Sequence, residues 1–113
     1  MEDFQHPCVI QWLDSVKKAT KDVYIQRITE VLEIEAKMHA EHRFKDFGCV
    51  ISEFLKNLNE KGVYGSQMFS ILSPVRTFMK MSNKVDIYEL YPNIVMTIKN
   101  WEKDDNIKKS NVS

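Results

Sequence analysis

Residues 47–62 read FGCVISEFLKNLNEKG, and Phe47, Val50, Ile51, Phe54, Leu55 and Leu58 recur there at spacings of three and four. That spacing places all six on one side of a helix, whereas a half-buried strand needs apolar residues at every second position. Gly62 predicts the stop, because glycine enters the left-handed conformation that ends many helices. So wide an apolar strip is stable only against other apolar faces, which the rest of the chain must supply.

The flanking segments do so. Val9, Trp12, Leu13 and Val16 stand at helical offsets after Pro7 and predict a helix over 8–20. Over 21–40, Tyr24, Ile28, Val31, Leu32 and Met38 fall on one side and Glu30, Glu33, Glu35 and Lys37 on the other, which predicts the longest helix. Ser66 is placed to cap a short helix over 67–72. Ser73-Pro74 predicts a break and a new helix over 74–81, since proline lacks an amide donor but suits a first helical position. Asp86 predicts the cap of a last helix whose face carries Ile87, Leu90, Ile94, Ile98 and Trp101, with Pro92 kinking or restarting it. No run alternates as a strand does. The expectation is an all-α fold, a compact bundle of five to six short helices forming a single domain over 1–103. Its expected core includes Trp12, Ile51, Phe54, Leu55, Leu58, Leu90, Ile94, Ile98 and Trp101. Residues 104–113, DDNIKKSNVS, are mostly polar and predict a disordered tail.

Composition narrows the function classes. The chain is 43% hydrophobic and 28% charged, an ordinary globular balance. Its 16 basic and 16 acidic residues cancel, which argues against direct nucleic-acid binding driven by bulk charge. No run approaches the ~18 apolar residues of a membrane span and the N-terminus lacks a secretory pattern, so an intracellular protein without a membrane partner is expected. Cys8 and Cys49 sit among apolar neighbours and read as buried free thiols. Gly48, Gly62 and Gly65 match no phosphate-binding loop, and no serine has a nucleophile-elbow context. No enzyme activity and no cofactor is expected. A weak metal candidate is Glu35, His39 and His42, with Asp46 as a fourth ligand. Offsets of four and three put the trio on one helical face, where it would otherwise only solvate a helix end. Lys56, Lys61, Arg76, Lys80 and Lys84 form either a basic face or a plain solvated surface.

Phe44, in EHRFKDF, stands in the loop after the longest helix beside Arg43, Lys45 and Asp46. An aromatic in such a setting is either a binding anchor or a plug over the bundle end. Val85, in the loop before the last helix, poses the same choice.

Residues 55–103, from LKNLNEKGVYGSQMF to TIKNWEK, resemble the N-terminal (leucine-tryptophan) domain of transcription elongation factor TFIIS and its relatives, among them the integrase-binding-domain branch. Ile98-Lys99-Asn100-Trp101-Glu102-Lys103 is similar to the ending of that domain's last helix, and Leu55, Leu58 and Val63 fall at its leucine helix and following turn. Leu72-Ser73-Pro74 stands where the family has a glycine-containing break. The resemblance implies a protein–protein interaction domain that binds short hydrophobic or acidic motifs of disordered partners in transcription elongation or chromatin regulation, in the nucleus. It makes Trp101 a wedge that closes the bundle. Carried over by position, the partner-binding residues are Arg43, Phe44 and Asp46 in one loop and Asn83, Lys84 and Val85 in the other. A rival of the same class is a viral or cell-death-type bundle that accepts an amphipathic partner helix in a groove.

Overall fold

The computed structural model describes the backbone of residues 2–111 and the side chains of residues 4–105, and every regular element within that span is helical. A 3-10 turn, Glu2–Gln5, leads into α1 Pro7–Asp14 and α2 Lys18–Ala40. Then come α3 Phe47–Glu60, α4 Gly65–Asn83, α5 Ile87–Leu90 and α6 Pro92–Asn111. The helices form one compact globule, as the periodicity requires.

Local chemistry sets the boundaries. His6 Nδ1 accepts the Cys8 N–H at 3.2 Å and Pro7 takes the first helical position, so α1 starts where expected. It ends at Asp14 rather than near residue 20, because Ser15 folds its hydroxyl onto the Trp12 carbonyl at 2.6 Å and the extended Lys17 opens α2. Asp46 caps α3 by accepting the Cys49 N–H at 3.0 Å, and Gly62 adopts φ 87° just beyond it. Asp86 caps α5 through the Tyr88 N–H at 3.1 Å, and Pro92 restarts the chain as α6.

The expected break at Ser73-Pro74 does not occur. Pro74 lies buried inside a continuous α4, and the residue four before it, whose carbonyl loses the usual amide donor, is the exposed Ser70. The gain is burial of Leu72 and Val75 on either side of it.

Ile28 and Val31 of α2, Ile51, Phe54, Leu55 and Leu58 of α3, Met68, Leu72, Val75 and Phe78 of α4, and Ile94 and Ile98 of α6 form the core with Val9, Leu13 and Ile87. Each such side chain contributes about 1.5–3 kcal/mol of burial, opposed by the entropy of ordering the chain. Leu90 was expected among them but is 54% exposed. Tyr91 leaves the helix between α5 and α6, so the helical offset from Leu90 to Ile94 is not kept. Trp12 and Trp101 are half-buried at the core's edge, the former stacked on Tyr24 with ring centroids 5.3 Å apart. Cys8 is exposed rather than buried, since α1 turns Val9 and Leu13 inward.

The closest seam joins the start of α4 to α6. A Cβ at Gly65 would lie 2.5 Å from the Glu102 nitrogen and 2.6 Å from the Trp101 carbonyl carbon, so only glycine fits. The Gly65 N–H is donated to the Asp105 carboxylate, which caps α4 from a distant part of the chain. The polar segment expected as a tail from residue 104 is instead helical through Asn111, and Asp105 within it has this structural partner. Val112 and Ser113, the rest of that tail, lie outside the described residues.

Candidate functional site

Cys8, Gln11 and Trp12 of α1 and its C-cap Ser15 are spaced at offsets of zero, three, four and seven, so they share one face. That face meets Lys80, Met81 and Lys84 at the C-terminal end of α4. Together with His6 they line a surface hollow of about 570 Å³. Its floor is apolar: Trp12, braced from behind by Tyr24, and the half-buried Met81. Its rim carries Lys80, Lys84 and His6 and no carboxylate.

Close to Lys80 lies an acid, Asp86, that is already engaged. Arg76 holds it with two parallel hydrogen bonds of 2.8 and 2.7 Å, while Lys80 stands farther off at 3.6 Å. The hydrogen bonds from Arg76 keep the Asp86 carboxyl well below the usual carboxylate range, and the same pairing raises Arg76. The Arg76 guanidinium also lies 4.2 Å over the Tyr88 ring, whose hydroxyl is raised by burial. Lys80 shares Asp86 with Arg76 at the longer distance of 3.6 Å while its side chain stays half exposed. Lys84 sits in the left-handed conformation at φ 56°, its N–H on the Met79 carbonyl, which ends α4 and places the lysine at the rim.

The sequence-derived partner-binding residues divide. Lys84 lies on this hollow; Asn83 is exposed beside it with its amide on the Met79 sulfur at 3.4 Å, and Val85 is half-buried against the core. Arg43 pairs with Glu41 at 2.7 Å and lines another hollow, between α2 and α3, with Lys45 and Lys56. Phe44 folds back as a plug, stacked on His39 with centroids 4.1 Å apart. Asp46 caps α3 and lines a third hollow with Tyr91 and Asn93.

The metal candidate is not assembled. α2 ends at Ala40, His42 lies beyond it at φ 57°, and the His39 ring stacks on Phe44, so Glu35, His39 and His42 are not arranged as a ligand set. Among the described residues no group of three or more His, Cys, Asp and Glu is placed to hold a metal ion. Nor do the basic residues share one face: Lys56 and Lys61 line separate hollows, Arg76 serves Asp86, and Lys80 and Lys84 flank Trp12. Sequence reasoning placed Trp12 in the core and missed Met81, although the spacing of Cys8, Gln11, Trp12 and Ser15 was a legible signal for a second face on α1. Among the described residues no helix is long and apolar enough to cross a membrane.

Neither family models, nor curated protein sequences, nor solved structures give a match to this chain.

Proposed function

We propose that this domain is a protein-interaction module that docks short segments of disordered partners, each carrying a bulky apolar side chain flanked by carboxylates, in the hollow between α1 and α4. The observation that carries the proposal is the pairing of an apolar floor, Trp12 and Met81, with a rim of Lys80, Lys84 and His6 that includes no acid. Burying one large anchor side chain there contributes about 1.5–3 kcal/mol, and rim charges add steering and orientation. No chemistry is assigned to the domain. The resemblance to the TFIIS N-terminal family supports placing such partners in transcription elongation or chromatin regulation, with a nuclear location. It differs in detail, since Lys84 rather than Phe44 is the loop residue turned to the hollow.

The test is a titration of the isotope-labelled domain with a Glu- and Asp-flanked Phe peptide, alongside a peptide with the acids replaced by amides. The expected result is movement of the Trp12 indole signal by the acidic peptide, binding about tenfold weaker for the neutral one, and loss of binding in a folded Lys80→Glu/Lys84→Glu variant. Signals that move only around Phe44 and Asp46 would relocate the site to the other loop. No movement at either place would end the proposal.

A further inference from the structure

The ends of α2 and α3 are closed by the same pair of hydrogen bonds. After α2, the His42 N–H donates to the His39 carbonyl at 3.1 Å and the Arg43 N–H to the Met38 carbonyl at 2.8 Å. After α3, the Gly62 N–H donates to the Asn59 carbonyl at 3.0 Å and the Val63 N–H to the Leu58 carbonyl at 3.1 Å. Glycine is the ordinary residue at the left-handed position of such a turn. α3 uses it, whereas α2 puts a histidine there at φ 57°. The turn itself has no need of an imidazole, and His42 lines a hollow of about 640 Å³ between the α2–α3 loop and α3.

The lining of that hollow carries three cations and this histidine against one carboxylate. Arg43 and Lys45 come from the loop with His42, and Lys56 and the carboxylate, Glu53, come from α3. Cys49, Ser52, Glu53 and Lys56 stand at offsets of zero, three, four and seven, so they share a face of the helix. Glu41 holds Arg43 through its Nε at 2.7 Å, which leaves the other guanidinium N–H groups to donate elsewhere. Among the described residues Lys45, Glu53 and Lys56 form no ion pair. Met38, which is buried, and the half-buried Cys49 make an apolar floor, beside the exposed Ser52.

Cations arriving from two elements, with a hydroxyl beside them, suit a group that carries about two negative charges and several acceptor oxygens. A phosphate monoester is such a group. A nucleic-acid backbone repeats its charge and calls for a track of cations, but the lysines here are divided among separate hollows and the chain's 16 basic and 16 acidic residues cancel. The apolar floor and the breadth of the hollow leave room for chain on either side of the phosphate. We infer that this hollow binds a phosphoserine or phosphothreonine of a partner protein, with Lys45 and Lys56 supplying charge and His42 and Ser52 donating hydrogen bonds. The inference does not rest on the hollow between α1 and α4.

The test is a titration of the isotope-labelled full chain with a pool of phosphoserine and phosphothreonine peptides randomised at the flanking positions. The same pool without phosphate, inorganic phosphate and a short single-stranded oligonucleotide are titrated in parallel. The phosphorylated pool should move the amide signals of His42, Lys45 and Ser52 and bind at least about tenfold more tightly than each of the other three. Lys45→Glu/Lys56→Glu should abolish that binding with an unchanged thermal melt. His42→Gly, which relieves the left-handed histidine, should melt no lower than wild type and still bind several-fold more weakly. Equal binding of the unphosphorylated pool overturns the inference, as do tighter binding of the oligonucleotide, inorganic phosphate binding as tightly as the peptides, and signals that move only around Trp12. Wild-type affinity in His42→Gly or in the double variant overturns it equally.

Discussion

The two ends of α4 are built on opposite plans. At its start the helix is sealed: Gly65 lets the α6 backbone approach too closely for any side chain, and Asp105 satisfies the first amide. At its far end the helix is left open, with Lys84 in a left-handed turn and an apolar hollow beside Met81. The sealed end spends its residues on stability. At the other end Lys80 and Lys84 line an exposed rim and Trp12 is only half-buried, stacked on Tyr24.

The largest break in this contrast should come from Gly65→Ala. A methyl group 2.5 Å from backbone has no flexible neighbour to displace, so α6 must shift, and the loss is expected at about 1–3 kcal/mol in denaturant unfolding. A midpoint equal to wild type would mean that the seam is not tight. Asp105→Ala should cost about 1 kcal/mol, the usual value of a lost helix cap, without changing peptide affinity. Equal unfolding curves for this variant and wild type would remove the remote cap from the account.

At the open end the sign should reverse. Lys84→Gly relieves a left-handed lysine and is expected to stabilise the domain by about 0.5–1 kcal/mol while weakening acidic-peptide binding. A stabilised variant that binds as well as wild type would show the lysine to be a cap alone. A smaller, pH-dependent effect belongs to Asp86. Its folded value is depressed, so its pairing with Arg76 stabilises the fold above roughly pH 4 and is lost as the pH falls through that depressed value. Asp86→Asn should therefore flatten the acid limb of a stability–pH curve; an unaltered limb would mean that the clamp adds nothing. The smallest change should be Lys80→Gln, within about 0.5 kcal/mol in stability, with its main effect on binding.

Much of the fold was legible because it rests on local rules. The α3 stripe, the Gly62 stop, the Asp86 cap and the restart at Pro92 each depend on a few neighbouring residues, and each appears where spacing placed it. The failures depend on groups remote in sequence or on small rotations. Pro74 sits inside α4 with the exposed Ser70 four residues before it, a matter of orientation that no local propensity encodes. Leu90 is lost to solvent through one non-helical residue, Tyr91. The hollow between α1 and α4 was legible only in half: spacing marks a second face on α1, but Trp12 also reads as core, and only the placing of α1 against the end of α4 leaves it partly exposed. Phe44 had two readings of equal standing, and stacking on His39 selects the plug.

The bond from Gly65 to Asp105 spans 40 residues, and this has a kinetic consequence. A chain emerging from the ribosome completes α2 and α3, which meet as neighbours, long before α6 exists. The start of α4 must wait with an uncapped amide and an exposed seam until the 40 residues to Asp105 have been made. At synthesis rates of about 5–20 residues per second, that interval lasts on the order of seconds. Folding of this small domain is thus closed by its last helix, and nascent chains stalled before residue 100 should bind chaperones that those carrying α6 escape.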